Sequence, residues 1–247
     1  MNRFFNEKLK ILHVKKAAQD IYHIRLQDCS INPLAEAGQF LHIKIADKPL
    51  RRPISIFSKG PGHLDILFKT CGAGTLQLSN CTAGDIVDVI GPLGKPFPRP
   101  EDDALFIAGG LGIAPINFLA ESTDSKYTIL YGTKKEQDFI EPDFLQDQEN
   151  NLIKISEEKN NKTVCDILTE YIEDTDMVYA AGPRPMLKKI SDICMTGNIS
   201  GYISWEERMG CGIGLCQGCA VKTASGYRKT CSEGPVFSIT EIDWNEY

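Results

Sequence analysis

"ALFIAGGLGIAP", residues 104–115, decides the fold. Five apolar residues run into Gly109, Gly110 and Gly112, and IAPINFLAES (113–122) continues at helical spacing. A strand whose glycines open a helix lets a dinucleotide's phosphates approach the backbone and the helix N-terminus. The run is not a strict G-x-G-x-x-G, so a tight strand–helix turn without a ligand is the competing reading. Downstream, YTILYGT (127–133), NLIKISEE (151–158) and MVYAAGP (177–183) are expected strands. TVCDILTEYIED (163–174) and PMLKKISDICM (185–195) are expected helices. This alternation predicts a Rossmann-like parallel sheet with both faces covered. Gly182 and Pro183 put a second glycine turn at the C-terminal edge of that sheet, where ligands of open α/β sheets bind.

Upstream the pattern is different. KLKILHVKKA, YHIRLQD, FLHIKIA, PISIFSK, LDILFKT and DIVDVIG are short runs punctuated by Pro, Gly, Asn and Asp between residues 8 and 91. Strands at this spacing predict an antiparallel barrel or sandwich, with GTLQLSN (74–80) as a short helix. PLGKPFPRPEDD (92–103) reads as a boundary. The expected domains are 1–100, 101–200 and 201–247.

Two elements of the β half suit an anion. Arg52-Pro53-Ile54-Ser55 starts a strand with a guanidinium and, three residues on, a hydroxyl, which together can clamp a pyrophosphate. Cys71-Gly72-Ala73-Gly74-Thr75 is a glycine turn opening the short helix. Alone, the first reads equally as an exposed charge at a strand start.

The tail holds Cys211-x4-Cys216-x2-Cys219-x11-Cys231 among glycines 210, 212, 214 and 218. Glycines let tight loops turn thiolates towards one point. C-x4-C-x2-C with a distant fourth Cys is the plant-type [2Fe–2S] spacing. Zinc ribbons pair two C-x2-C knuckles, and only one is present; zinc and free thiols remain the alternatives. AVKTASGYRKTC (220–231) reads as a hairpin leading to the last ligand. Cys29, Cys71, Cys81, Cys165 and Cys194 are scattered and read as small apolar residues.

Composition bounds the rest. The 247 residues are 42% hydrophobic and 24% charged, with net charge −6 from 27 basic and 33 acidic side chains, which argues against a nucleic-acid partner. No apolar run is long enough to span a membrane. MNRFFNEKLKILHVKK lacks the apolar core of a signal peptide, so a cytoplasmic protein is expected, where clustered cysteines read as metal ligands.

With these segments in place, the chain resembles the ferredoxin–NADP reductase superfamily: a flavin-binding barrel followed by a nicotinamide-nucleotide domain. Ser204-Trp205-Glu206-Glu207-Arg208-Met209-Gly210-Cys211-Gly212-Ile213-Gly214-Leu215-Cys216 narrows the resemblance to the electron-transfer subunits of NAD-dependent, B-type dihydroorotate dehydrogenases. The resemblance covers nearly the whole chain. It implies FAD on Arg52, Pro53, Ile54, Ser55, Leu67, Phe68, Lys69, Gly74 and Thr75. It implies a [2Fe–2S] cluster on Cys211, Cys216, Cys219 and Cys231, and NAD along Gly109, Gly110, Gly112, Gly182 and Pro183. It also implies an FMN-containing dihydroorotate-oxidising partner, in a heterotetramer of two of each. Electrons would pass from that partner through the cluster and FAD to NAD+. Flavin subunits of sulfhydrogenases and of electron-bifurcating NAD(P)H–ferredoxin oxidoreductases share the architecture and are the alternative. A zinc-stabilised binding module is the alternative of a different class. No catalytic acid or base is nominated: His13, His23, His42 and His63 all fall in the barrel sequence. Lys134, Lys135 and Glu136 read as a solvated turn, and the lean to NAD over NADP rests on the resemblance.

Overall fold

The structure, a computed structural model, describes residues 4–140, 145, 152–173 and 175–247; residues 1–3, 151 and 174 of the segments quoted above lie outside these. Six strands close an antiparallel barrel: β1 (Phe5–Ala18), β2 (Ile21–Gln27), β3 (Phe40–Ile43), β4 (Arg52–Gly60), β5 (His63–Lys69) and β6 (Ile86–Leu93), in the order β1-β2-β5-β4-β3-β6. Alternation closes it. In β2, Ile24 and Leu26 are fully buried while Arg25 between them is not, and Leu41 and Ile43 of β3 enter the same core. Helix α1 (Ala73–Ser79) follows β5.

Then come β7 (Ala104–Gly109), α2 (Ile113–Glu121), β8 (Tyr127–Thr133), β9 (Leu152–Ser156), α3 (Glu157–Asn160), α4 (Val164–Ile167), β10 (Met177–Ala181), α5 (Arg184–Gly197) and β11 (Ser200–Ser204). Strands β12 (Ala220–Thr223) and β13 (Gly226–Lys229) form a separate hairpin, helix α6 (Thr230–Glu233) follows, and β14 (Val236–Ser238) ends the strands. The second sheet runs β14-β11-β10-β7-β8-β9, parallel except where β14 pairs antiparallel with β11. Its central strands are apolar on both faces because both are covered. Phe106 and Ala108 of β7 face the core shared with the barrel, while Leu105 and Ile107 face Leu187 and Ile190 of α5. Cutting Phe106 back to alanine would cost about 3–5 kcal/mol.

The barrel and the sheet meet through α2. Its residues are almost all buried, and Asn117 donates from Nδ2 to the Phe57 carbonyl of β4 at 3.3 Å. This contact fixes the mouth of the barrel against the glycine turn.

Strands β11 and β14 flank the cysteine segment and join the sheet, where Ile203, Trp205 and Phe237 complete the core over α5. One local expectation differs. The amphipathic helix expected over 163–174 is a single turn, α4, tightening to a 3-10 turn over Leu168–Glu170. Thr163 and Asp166 form a capping box that starts it, but Thr169 and Ile172, both β-branched, and Tyr171 between them propagate a helix poorly.

Candidate redox site

An open cavity of about 570 Å³ lies at the mouth of the barrel, within the range of small-ligand sites. Arg52, Pro53, Ile54 and Ser55 line it from the start of β4; Leu67, Phe68 and Lys69 line it from the end of β5, and Thr75 from α1. The Arg52 side chain lies over Gly74, where a Cβ would stand 2.9 Å from Nε and 3.0 Å from Nη2. The two anion-binding elements of the sequence are therefore in contact. Arg52 Nη1 donates to the Leu50 carbonyl at 2.6 Å, which orients the guanidinium. The Thr75 hydroxyl is engaged inside its own turn, accepting from the Cys71 N–H at 3.0 Å.

A second cavity, about 580 Å³, opens along the sheet's C-terminal edge. Gly109, Gly110 and Pro183 line it, with Thr133, Lys134 and Met186. Gly110 has φ +54°, a left-handed conformation open to glycine. Gly112 is excluded from the wall: a Cβ there would overlap the Ala181 carbonyl, so glycine lets the turn pass under β10. Gly182 packs on Gly109, where a Cβ would stand 3.0 Å from the Gly109 nitrogen. The turn after β8 is exposed, with Glu136 paired to Lys159 at 3.2 Å.

Lys69 and Leu111 line both cavities. They mark where ligands held in the two would meet. The resemblance pointed to Lys69 for the flavin and to the span 109–115, which contains Leu111, for the nucleotide, but neither residue was expected to line both cavities. Trp205–Met209 also wall the barrel cavity, brought there by β11. None of the four histidines lines either cavity. His23 and Arg25 instead surround Asp65, with Arg25 bidentate at 2.8 and 2.7 Å. Burial alone would raise the Asp65 carboxyl, but Arg25 and His23 outweigh it and hold it well below the usual carboxylate range.

Cys211, Cys216 and Cys219 lie on the loop between β11 and β12, and the hairpin brings Cys231 of α6 beside them. Cys219 and Cys231 are buried, Cys211 is half-buried and Cys216 exposed. Main-chain N–H groups point at their sulfurs. Leu215 and Cys216 donate to Cys211 Sγ at 3.3 and 3.4 Å, Cys211 to Cys216 Sγ at 3.4 Å, Gly214 to Cys231 Sγ at 3.1 Å, and Cys231 to Cys219 Sγ at 3.4 Å. Gly212 and Gly214, at φ +72° and +83°, supply the turns. Burial pushes the Cys211 thiol up, but the N–H groups of Ile213, Cys216 and Leu215 outweigh it and bring it to about 7. Burial, with Cys219 alongside, pushes Cys231 up to about 12, so a positive metal charge is what would keep it as thiolate. The sulfurs pair as Cys211 with Cys216 and Cys219 with Cys231. Among the described residues no three His, Cys, Asp or Glu side chains form a single-ion site. Two pairs of thiolates suit a two-iron cluster, which takes two thiolates on each iron.

Residues 206–243 match the family described as the iron–sulfur cluster binding domain of dihydroorotate dehydrogenase B. The chain is 32% identical over 253 residues to the electron transfer subunit of dihydroorotate dehydrogenase B (NAD(+)) of Geobacillus sp. (strain WCH70), covering 96% of this chain and 98% of that protein. The namesake subunit of Bacillus cereus (strain Q1) is 34% identical over 255 residues, with the same coverage. Among solved structures, one of the NADH-dependent reduced ferredoxin–NADP oxidoreductase, described for flavin-based electron bifurcation, superposes with TM-score 0.85 at 26% identity, over 96% of this chain and 90% of that one. Phthalate dioxygenase reductase, at 18% identity and TM-score 0.64, shares the fold over 90% of this chain and 87% of that one.

Proposed function

This chain belongs to the family of electron-transfer subunits of NAD-dependent dihydroorotate dehydrogenase B, and from that membership we propose how its residues divide the work. Its function is to pass electrons from a dihydroorotate-oxidising partner, by way of a [2Fe–2S] cluster and FAD, to NAD+. When bound, the flavin exchanges a hydride as two electrons and the cluster carries one at a time. The chain itself binds, orients and shields.

Arg52 and Ser55, with the Gly74–Thr75 turn, hold the FAD pyrophosphate, and Leu67, Phe68 and Lys69 wall the flavin from β5. Gly109, Gly110 and Pro183 let NAD lie close to the sheet edge, while Gly112 and Gly182 let the turn pack closely on Ala181 and Gly109 behind them. Cys211, Cys216, Cys219 and Cys231 hold the cluster, each sulfur already facing a main-chain N–H. The observation that carries this reading is the continuity of the three sites. Lys69 and Leu111 wall both cavities, and Phe40 lines the barrel cavity while packing against Cys219 and Cys231. Relaying electrons asks no proton abstraction from carbon of this chain, so oxidation of the carbon substrate falls to the partner.

The subunit has a catalytic partner. We take that partner to be FMN-containing, in an assembly of two copies of each. No described helix is long and apolar enough to cross a membrane. The nine unpaired thiols suit the reducing cytoplasm, which we take as the working compartment.

The test is reconstitution. The isolated chain should pass electrons from NADH to artificial acceptors and leave dihydroorotate untouched; with the partner it should couple dihydroorotate oxidation to NAD+ reduction, and Cys216→Ser should break the coupling. Turnover of dihydroorotate by the isolated chain would overturn the subunit reading. The likeness to the bifurcating oxidoreductase favours one second reading, an exchange with ferredoxin. Reduction by reduced ferredoxin, with no coupling to dihydroorotate, would favour it.

A further inference from the structure

Strand β3 runs between the barrel cavity and the cluster loop. Leu41 and Ile43 point into the barrel core, so Phe40 and His42 face outward. Phe40 touches both sites. His42 stands opposite Pro53 of the FAD segment and is fully buried; neither ring nitrogen makes a well-formed hydrogen bond, and the main chain of Cys211 and of Arg51 lies nearest to them. Its ring lies flush against the cluster loop: a Cβ on Gly212, next to the ligand Cys211, would stand 2.9 Å from Cε1 and 3.0 Å from Cγ. The strand behind the ring is fixed, because Arg51 donates from Nη1 to the His42 carbonyl at 3.3 Å and to the Asp88 carbonyl at 2.9 Å, and from Nη2 to the Asp88 carboxylate at 2.7 Å.

Folded proteins leave few buried polar atoms unpartnered, since each costs free energy. Packing alone would be served here by leucine or phenylalanine. An imidazole placed dry against the loop that carries Cys211, Cys216 and Cys219 is within reach of whatever those cysteines bind. We propose that His42 is a positioning residue that donates a ring N–H into the cluster site on its Cys211 side and so raises the potential of the cluster relative to the flavin. This rests on the [2Fe–2S] reading above. The reduced cluster carries one more negative charge than the oxidised one, so an N–H aimed at it stabilises the reduced form more. A neutral donor does this without adding a buried cation beside Arg51. The same ring shares its strand face with Pro53 and Ser55 of the FAD segment, through the pairs His42–Pro53 and Phe40–Ser55. One side chain thus adjusts the potential difference between two neighbouring carriers.

The test uses the full chain, purified without oxygen, with His42→Gln as a side chain that still donates and His42→Leu as an apolar one. The cluster is titrated by EPR, the flavin by absorbance, and iron and sulfide are counted. His42→Leu should lower the cluster potential so that electrons redistribute towards the flavin about tenfold, a 59 mV change for a one-electron couple. His42→Gln should restore at least half of the shift, with the flavin potential unchanged in both. If His42→Leu sheds the cluster, retention by His42→Gln supports the proposal. The proposal is overturned if His42→Leu keeps the parent potential and EPR signature, or if both variants shift or lose the cluster alike, which a packing role would produce. An unsubstituted protein that shows no [2Fe–2S] signal on reduction is a different outcome: it removes the cluster reading itself, and this proposal with it.

Discussion

Replacing Gly212 by alanine should cripple the cluster site and leave the flavin site intact. Two costs add. Gly212 has φ +72°, and forcing a residue with a Cβ into the left-handed region costs about 1–2 kcal/mol. The new methyl would also press on His42 Cε1 and Cγ at 2.9 and 3.0 Å, inside van der Waals contact. His42 has no exposed surface into which to retreat, and Arg51 anchors its strand. Overpacking of this kind typically costs about 1–3 kcal/mol. The closed loop should therefore lose about 2–5 kcal/mol relative to open forms, or about 30- to 5,000-fold in population. Gly218 is the internal control. A Cβ there meets only Cys216 Sγ at 3.6 Å, an ordinary contact. The assay is iron and acid-labile sulfide per FAD after anaerobic purification, with the rate of bleaching by a chelator. Gly212→Ala should hold little iron or lose it at least 30-fold faster, while Gly218→Ala should match the parent. A Gly212→Ala protein with full iron and parental bleaching, or two variants that behave alike, would refute the packing of the loop on His42.

Arg52→Ala removes one charge-assisted contact to the FAD pyrophosphate, worth about 1.5–3 kcal/mol, so flavin should bind about 10- to 150-fold more weakly in equilibrium dialysis; unchanged affinity would remove Arg52 from the site. Gly110→Val forces a β-branched residue to φ +54° at the rim of the sheet cavity, and NADH reduction of the bound flavin should slow at least tenfold in stopped flow with flavin content unchanged; normal kinetics would take Gly110 out of the nucleotide site. Asp65 is 2% exposed, and its folded-state pKa is depressed, so its stabilisation is present above the ordinary carboxylate pKa of about 4 and is lost as pH falls below it. Asp65→Asn should cost about 3 kcal/mol at pH 7 in urea unfolding, and the gap from the parent should narrow below about pH 4; a gap constant with pH would contradict the ion-pair account.

Much of this was legible in the sequence because it is local. The six strands of the barrel, the strand–glycine–helix turn at 104–115 and the cysteine spacing each depend on residues a few positions apart, and each is where the sequence placed it. Arg52 and Gly74 could be named separately from residue type, but their contact needs barrel closure. What stayed hidden is non-local. Leu111 becomes a wall of two cavities only because α2 docks on β4, and Trp205–Met209 reach the barrel cavity only because β11 extends the sheet. His42 reads as one of four unremarkable histidines until Gly212, 170 positions away, is packed on it. The misjudged helix over 163–174 shows the converse: apolar spacing was right, but the β-branched Thr169 and Ile172 after Ile167 let tertiary packing keep only one turn.

The central claim is that one chain joins a nicotinamide site, a flavin and a [2Fe–2S] cluster in electronic contact. Anaerobic titration of the purified chain with NADH, followed by absorbance and by low-temperature EPR on the same samples, tests it most directly. Bleaching of the flavin together with an EPR signal from a reduced [2Fe–2S] cluster, at about two irons and two sulfides per chain, is the expected result. Flavin bleaching with no cluster signal, in a protein carrying stoichiometric zinc and no acid-labile sulfide, would contradict it.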